Sequence, residues 1–340
     1  MDMIELDGVA GGGQLLRTAL SLALCTGTAF TMRNIRATRS RPGLLRQHLT
    51  AVQAAAAIGN ARVHGAELGA TSIRFEPGDV APGDYNFALG TAGSTMLVLQ
   101  TLLPALWHAG GSSRLRLEGG THNPMAPSAD FIADTFLPVL ARMGVRATLS
   151  LERPGFYPAG GGAVDVVVEP CASMSQLVLD TRGPLESIEA TVLLSALEAS
   201  IGRRELAVLA ERFDLPEDRQ HFRSVRPAIG PGNALMVRVQ HASHAETFTG
   251  HGERGVPAEV VAERLARQAR AYLDATTACV GEHLADQLLL PMALAGGGSF
   301  TTHVASDHLR TNATLIQKFV EVDIDVLPVD DAAWRVVVTG

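Results

Sequence analysis

Residues 11–32 read GGGQLLRTALSLALCTGTAFTM, and this succession of a glycine-rich loop, a helix and a strand decides the fold. The glycines of the run Gly11-Gly12-Gly13-Gln14 indicate a tight turn. Apolar spacing over residues 15–24 predicts a helix, and residues 29–32 are predicted to form a strand. A loop, a second helix and two short strands complete the unit, at residues 39–43, 44–58, 61–64 and 72–75.

The same order of elements recurs twice along the chain. In the second copy, the run Gly90-Thr91-Ala92-Gly93-Ser94 leads into a helix that ends near Trp107. The later elements of that copy are a strand, a loop, a helix and two strands, at residues 114–117, 119–124, 128–143, 146–151 and 163–168. The third copy starts with a helix (residues 284–294), a glycine run (296–298) and a strand (299–302). The loop that contains His308 (303–310), a helix (311–319) and two strands (320–326 and 334–338) follow. Such recurrence predicts a repeat architecture.

Residues 177–275 do not follow this order and are predicted to be an insertion. The alternation of helices and strands predicts an α/β protein. We therefore expect a large repeat domain formed by residues 1–180 and 277–340, and a smaller inserted domain at residues 181–276.

Composition limits the classes of function. The chain has 340 residues, 46% of them hydrophobic, and a net charge of −7, which argues against a protein that coats long stretches of nucleic acid. It does not argue against gripping a single nucleic-acid end. Arg33, Arg36, Arg39, Arg41 and Arg46 fall within fourteen residues that contain no carboxylate. This segment is the candidate anion-binding surface, with a solvated basic face as the alternative.

The apolar stretches are shorter than the roughly 20 residues that cross a bilayer, so we predict no membrane span. The first five residues are acidic and lack the basic start of a secretion signal, and the predicted location is therefore the cytoplasm. Cys25, Cys171 and Cys279 are too far apart along the chain to suggest a disulfide framework or a CxxC metal site.

His308 is the candidate nucleophile. It is predicted to lie in a loop just before a helix, among small and polar residues, where an exposed imidazole can attack an electrophile. The chain contains neither the HExxH pattern of a zinc site nor the GxSxG pattern of a serine hydrolase. A purely structural histidine is the alternative.

Other polar residues are candidates for ligand binding. Gln100 lies within an apolar helix, where a buried amide needs partners, and Asp286 and Gln287 near a helix start suit either capping or nucleotide recognition. The Gly11–Gln14 run suits either a turn or phosphate binding at a helix N-terminus. The repeats place residues 36–46, 121–124 and 306–312 in equivalent positions, so we expect them to share a cleft.

The sequence resembles the RNA 3′-terminal phosphate cyclase family over almost its whole length. The runs that carry this resemblance are Gly11–Gln14 with Leu16-Arg17, Arg41-Pro42-Gly43-Leu44-Leu45-Arg46-Gln47-His48-Leu49, Asn123-Pro124 with Ala129-Asp130-Phe131, Gly155-Phe156-Tyr157-Pro158-Ala159-Gly160-Gly161-Gly162, Leu284-Ala285-Asp286-Gln287-Leu288, and His308 with Thr311-Asn312.

The resemblance implies a fold and a reaction. The fold is a large domain of repeated βαβα-type units, related to the enolpyruvyl-transferase architecture, with a smaller inserted α/β domain. The reaction converts an RNA 3′-phosphate to a 2′,3′-cyclic phosphate with ATP, through AMP bound to His308, and a divalent cation (Mg²⁺ or Mn²⁺) is expected to assist. The implied ATP contacts are Gln100, His283, Leu284, Ala285, Asp286 and Gln287. The expected phosphate and RNA contacts are Gln14, Arg17, Arg39, Arg41 and Arg46.

The chain departs from the family pattern at two positions. Family members usually carry a glutamate before the glycine run, whereas this chain reads Asp7-Gly8-Val9-Ala10-Gly11 and is shorter there. Asp7 is the candidate replacement as a metal ligand. His283 stands where a tyrosine is common. One alternative function is therefore a weakened or silent relative that acts as an RNA-processing binding factor, and another is an enolpyruvyl transferase.

Overall fold

The computed structural model describes residues 3–9 and 11–340. The expectation about the missing glutamate near Ala10 therefore falls on a position outside the described residues. The helices are α1 (Gly12–Thr26), α2 (Arg46–Ile58), α3 (Thr95–Trp107), α4 (Ala129–Phe131), α5 (Leu137–Arg142), α6 (Ala199–Phe213), α7 (Ala258–Asp274), α8 (Glu282–Leu294) and α9 (Asp307–Ile316). A π-helical turn (Ile132–Phe136) joins α4 to α5, and a 3-10 turn (Glu217–Arg219) follows α6.

The strands are β1 (Ile4–Asp7), β2 (Phe30–Arg33), β3 (Arg62–His64), β4 (Ile73–Glu76), β5 (Asp84–Ala88), β6 (Ser113–Gly119), β7 (Ala147–Arg153), β8 (Gly162–Val168), β9 (Leu177–Leu179), β10 (Leu185–Ser195), β11 (Gln220–Ser224), β12 (Gly232–His241), β13 (Ala245–His251), β14 (Gly297–Thr302), β15 (Asp323–Asp330) and β16 (Ala333–Thr339).

The three repeats form sheets of identical topology. Their strand orders are β1-β2-β4-β3, β5-β6-β8-β7 and β9-β14-β16-β15. In each sheet the first two strands pair in parallel and the remaining neighbours pair antiparallel. Parallel neighbours require a crossover connection, which the first helix of each repeat supplies. The α/β class and the threefold repetition predicted from the sequence are confirmed.

Each repeat also begins with a strand that the sequence did not reveal, namely β1, β5 or β9. Ile4 of β1 pairs with Phe30 of β2, and Asp84 of β5 pairs with Arg114 of β6. Strand β9 lies within residues 1–180, which were expected to belong to the large domain, and its Leu177 pairs with Gly298 in the third sheet. The interrupting segment therefore lies between β9 and α8, where the first two repeats have a short glycine-rich loop.

The segment between β9 and α8 forms a fourth sheet with a different strand order, β11-β10-β12-β13. Helices α6 and α7 pack against this sheet, and its buried apolar side chains form a cluster separate from that of the repeats. Val192, Leu209, Val237 and Leu265 belong to that cluster and are almost fully buried. Treating residues 181–276 as an independent domain stays a prediction.

The first helices of the second and third repeats are equivalent in detail. Each carries a glutamine at its sixth position, Gln100 in α3 and Gln287 in α8, and a proline at its tenth, Pro104 and Pro291. Both helices are largely apolar and bury most of their side chains. The two glutamines face each other across the interface between these repeats.

Two helix boundaries differ from expectation. The predicted helix at residues 128–143 is divided by the π-helical turn, just before Pro138, a residue that has no N–H to donate. The helix predicted at residues 311–319 begins four residues earlier, at Asp307, because the Ser306 hydroxyl accepts the N–H of Leu309 at 3.1 Å and caps it. His308 is consequently in the first turn of α9 and not in the preceding loop.

Candidate active site

Loops and helix ends from all three repeats line one cleft of about 1290 Å³. The three segments expected to share a cleft each contribute to it, through Arg39, Asn123 and His308 among others. Strand β13 of the inserted segment supplies one wall, with Thr247, Thr249 and His251. Five arginines line the cleft, namely Arg17, Arg36, Arg39, Arg41 and Arg46.

His308 is exposed in this cleft, at the second residue of α9. The first turn of a helix presents backbone N–H groups and the positive end of the helix dipole, which favour a nearby anion. An imidazole placed there can approach a phosphorus atom while the helix end stabilises the phosphate oxygens.

Asp286 connects the first and third repeats beneath His308. Its Oδ1 accepts a hydrogen bond from Nε2 of Gln14 at 2.7 Å, and its backbone carbonyl accepts one from Nδ2 of Asn312 at 3.3 Å. Burial raises the pKa of the Asp286 carboxyl above its usual value, while the Gln14 hydrogen bond and the charges of His308, His283 and Arg17 act in the opposite direction. A half-buried carboxylate thus interacts electrostatically with the candidate nucleophile.

The predicted ATP contacts separate into two groups. Gln100 donates a hydrogen bond from Nε2 to Oε1 of Gln287, and both side chains line the cleft, as does exposed His283. Leu284 and Ala285, however, are fully buried in the core of the repeats and do not line the cleft. Side-chain contact between these two residues and a ligand is therefore not supported, because their helical phase directs them inward.

Two arginines lie at the N-terminus of α1. A Cβ atom on Gly12 would lie 3.3 Å from Nη2 of Arg39, and one on Gly13 would lie 3.0 Å from Nη1 of Arg17. Burial lowers the pKa of Arg17 to about 10, partly offset by Asp286, so its guanidinium stays protonated at neutral pH. Two guanidinium groups beside free helix N–H groups are well suited to phosphate.

His48 lies next to this pair and was missed as a site residue. A Cβ on Gly13 would be 2.4 Å from Nε2 of His48, so only glycine allows this close approach. Burial and the charges of Arg17 and Arg36 lower the pKa of His48 to about 3. The ring is neutral, and because Nδ1 accepts the N–H of Leu45 at 3.2 Å, the proton lies on Nε2. His48 is therefore a neutral hydrogen-bond donor directed at the loop.

The arginines of residues 33–46 differ in whether they line the cleft and in what they contact. Arg41 and Arg46 are exposed and line the cleft, as expected for phosphate contacts. Arg36 also lines it, but its Nη1 donates to the backbone carbonyls of Arg41 and Gly43, at 2.7 and 2.9 Å, and shapes the loop. Arg33 lies outside the cleft and pairs with Glu5.

The second repeat contributes a loop supported by a buried histidine. Nε2 of His122 lies 2.6 Å from Oδ2 of Asp130, its Nδ1 lies 2.8 Å from Oγ1 of Thr121, and its ring stacks on Phe156. Because His122 is fully buried, this pair supports the loop from beneath and is not a reactive centre. Asn123 is held there by a 2.5 Å hydrogen bond from Nδ2 to the carbonyl of Ala92.

The predicted metal ligand Asp7 does not line the cleft. Its Oδ1 accepts the N–H of Val9 at 3.0 Å, and Nδ2 of Asn34 lies 3.3 Å from both carboxylate oxygens. Within residues 3–9 and 11–340, no group of three or more His, Cys, Asp and Glu residues is arranged to hold a metal ion. The carboxylate that lines the cleft with His308 is that of Asp286, and it accepts a hydrogen bond from Gln14.

Comparison with known proteins identifies the family of the chain. A family model described as RNA 3′-terminal phosphate cyclase matches residues 9–326. The chain belongs to this family. The RNA 3′-terminal phosphate cyclase of Ralstonia nicotianae is 53% identical over 333 residues, which are 97% of this chain and 95% of that protein. The cyclases of Salmonella agona and Ectopseudomonas mendocina are 51% and 49% identical, over 95% and 98% of this chain and 94% and 98% of theirs. The members of this family that are named here are enzymes, and the chain is an enzyme of the same family.

Among solved structures, the chain is similar to an enolpyruvyl transferase from Streptomyces tendae, which is 12% identical and matches 99% of this chain and 48% of that one. The TM-score of 0.37 is too low for this likeness to carry an argument. Within the part of the chain that the structure describes, no helix has the length and apolar character needed to span a membrane.

Proposed function

We propose that the protein converts an RNA 3′-terminal phosphate to a 2′,3′-cyclic phosphate, using ATP and a covalent His308–AMP intermediate. The observation that carries this proposal is an exposed histidine at a helix N-terminus, in one cleft with Asp286 and the arginines of the first repeat. The names of the curated relatives support the overall reaction.

ATP fits the chemistry of the cleft. The glycine-rich start of α1 has no side-chain cap, and Arg17 and Arg39 lie beside it, so this end suits the phosphates. The paired amides of Gln100 and Gln287 offer donors and acceptors for the nucleoside.

In the first step, an unprotonated imidazole nitrogen of His308 attacks the α-phosphorus of ATP. The bond to the β-phosphate oxygen breaks, pyrophosphate leaves, and a phosphoramidate remains. The imidazole bears positive charge as this bond forms, and the neighbouring Asp286 carboxylate stabilises that charge.

Two transfers complete the reaction. An oxygen of the RNA 3′-phosphate attacks the phosphorus of the bound AMP, and the bond from that phosphorus to His308 breaks. The RNA then carries AMP through a phosphoanhydride at its 3′ end. The neighbouring 2′-hydroxyl then attacks the activated 3′-phosphorus, loses its proton and expels AMP. Ring closure is favoured because the attacking hydroxyl is held in the same nucleotide. Arg41 and Arg46 are the exposed cations available to the RNA phosphates.

A divalent cation stays a prediction, since the described residues do not by themselves form a ligand set for one.

The decisive experiment is incubation of the protein with ATP labelled at the α-phosphate, followed by detection of protein-bound label. The wild type and His64→Ala, which alters an exposed histidine of β3 outside the cleft, should be labelled, and His308→Ala should not. Equal labelling of His308→Ala would contradict the covalent mechanism. A wild type that binds RNA but never labels would favour the silent binding factor.

A second experiment identifies the RNA end. An RNA that ends in a 3′-phosphate should yield a 2′,3′-cyclic end, with one AMP and one pyrophosphate released per turnover. An RNA that ends in a 3′-hydroxyl has no phosphate to activate and should give no cyclic product. Cyclic product without AMP release would rule out the proposed activation.

A further inference from the structure

Two large side chains that line the cleft are largely exposed to solvent. Met125 is 93% exposed and Tyr157 is 69% exposed, and both line the cleft that contains His308. Among the described residues, no hydrogen bond or ring contact engages the Tyr157 side chain. Single exposed apolar residues are common on protein surfaces, but these two line one cleft together with five arginines.

The backbone beneath Tyr157 is firmly held. The preceding residue, Phe156, is buried and stacks on His122 with ring centroids 5.5 Å apart. The N–H of Gly160 donates to the carbonyl of Phe156 at 2.7 Å, and the N–H of Thr121 donates to the carbonyl of Gly155 at 2.8 Å. The phenol ring is therefore presented to solvent from a turn that is attached to the loop of the second repeat.

Met125 belongs to that same loop and has an unusual backbone conformation. Its φ of 61° lies in the left-handed region, which is uncommon for residues other than glycine. Asn123, two residues earlier, is anchored to Ala92. Strained backbone of this kind clusters at active sites and ligand-binding segments.

We propose that Tyr157 and Met125 form a stacking platform for one base at the 3′ end of the RNA. This inference rests on the proposed function. The reacting phosphate must lie near His308 and the arginines of the cleft, and Tyr157 and Met125 line that same cleft within reach of the attached nucleotides. Aromatic faces stack on any base, and a thioether packs against the ring plane, so the platform is tolerant of sequence.

The platform assigns a role to the Gly155–Gly162 segment, which the catalytic steps leave unused. The segment is built to hold a ring in solvent, with Phe156 buried on one side of the turn and Tyr157 exposed on the other. ATP is the less favoured occupant, because the paired amides on α3 and α8 already offer polar contacts to its nucleoside. A protein partner is disfavoured because two exposed side chains are too small an apolar area for a stable interface.

The test combines Tyr157 variants with RNA that lacks one base. Tyr157→Ala should be labelled by ATP as the wild type is, but its kcat/KM for 3′-phosphorylated RNA should fall about ten-fold or more, as expected for loss of one stacked base. Tyr157→Phe should stay close to the wild type. Leu68→Ala, which removes an exposed side chain outside the cleft, is the matched control.

RNA that is abasic at the last or the next-to-last nucleotide identifies the contact. For one of these RNAs, the kcat/KM of the wild type should fall by the same factor that Tyr157→Ala causes with intact RNA. The kcat/KM of Tyr157→Ala should fall little further when that base is removed. Unchanged kcat/KM in Tyr157→Ala would overturn the platform. So would a result in which, for both abasic RNAs, the loss from the substitution multiplies the loss from the missing base. If the wild type does not label, the proposed function fails. Fluorescence anisotropy with the same RNAs then tests the platform, which predicts weaker binding by Tyr157→Ala.

Discussion

Glu205 should make the stability of this protein depend on pH in a way that a single substitution removes. The side chain is 1% exposed in α6, and both carboxylate oxygens accept hydrogen bonds from Nδ2 of Asn233, at 2.7 and 2.9 Å. Oδ1 of Asn233 is buried and, among the described residues, has no hydrogen-bond partner. The pair therefore contains one acceptor too many while Glu205 is ionised.

Burial raises the pKa of Glu205 from 4.5 to about 7, against the opposing effects of Asn233 and Arg204. A raised pKa means that the folded protein holds a proton that the unfolded chain has already released. Stability is thus complete below pH 4.5, falls as the pH rises through 7, and is constant above that. At about 1.4 kcal/mol per pKa unit, the loss is about 3 kcal/mol.

Glu205→Gln removes the charge and supplies an amide donor for Oδ1 of Asn233. We expect the free energy of unfolding to rise by about 3 kcal/mol at pH 8.5 and to change little at pH 5, measured by urea titration with an unchanged m value. Glu259→Gln is the control. Its carboxylate pairs with Arg204 at 3.2 Å on the surface, so it should change stability by less than about 1 kcal/mol at either pH. An equal gain at both pH values, or a loss at pH 8.5, would refute the reasoning.

Three further predictions concern the supports of the cleft. Glu246 is 2% exposed and accepts the N–H of Gly281 at 2.6 Å, where α8 begins. Glu246→Ala leaves that donor buried and should lower the unfolding free energy by about 1–3 kcal/mol and raise the KM for ATP. Glu246→Gln keeps an acceptor, so equal losses in both variants would disprove this role. Ser306→Ala should destabilise α9 by about 1 kcal/mol in urea titration, and Ser306→Asn should recover most of it, whereas an unchanged Ala variant would rule out the cap. Asp286→Asn keeps an oxygen for Gln14 but loses the charge, so single-turnover labelling by ATP should slow; a wild-type rate would contradict the electrostatic role.

The repeats could be predicted because their signals are local. Glycine runs, helical apolar spacing and short alternating strands are all read within a few residues of each other. The strands β1, β5 and β9 were missed, although their lengths of three to five residues are similar to those of the predicted strands β2, β3 and β4. Their stability comes from parallel pairing with strands beyond the next helix, which no local pattern reveals.

The site was predictable in part. Helical phase alone places Leu284 and Ala285 with the buried Leu288 and leaves Asp286 and Gln287 for the cleft, so these two groups could have been separated from the sequence.

Ser306-Asp307 is likewise a readable helix start, which would have placed His308 within α9. The contact of His48 with Gly13 joins two elements only in three dimensions, and no spacing could have predicted it.

The inserted segment determines the order in which the chain can acquire its cleft. The first two repeats close over short distances along the sequence, whereas β9 must wait for β14, since Leu177 pairs with Gly298. During synthesis from the N-terminus, the wall that carries Asp286 and His308 is therefore assembled last. On the proposed function, a partly synthesised chain has arginines that can hold a phosphate but lacks the nucleophile, so it cannot consume ATP before it is finished.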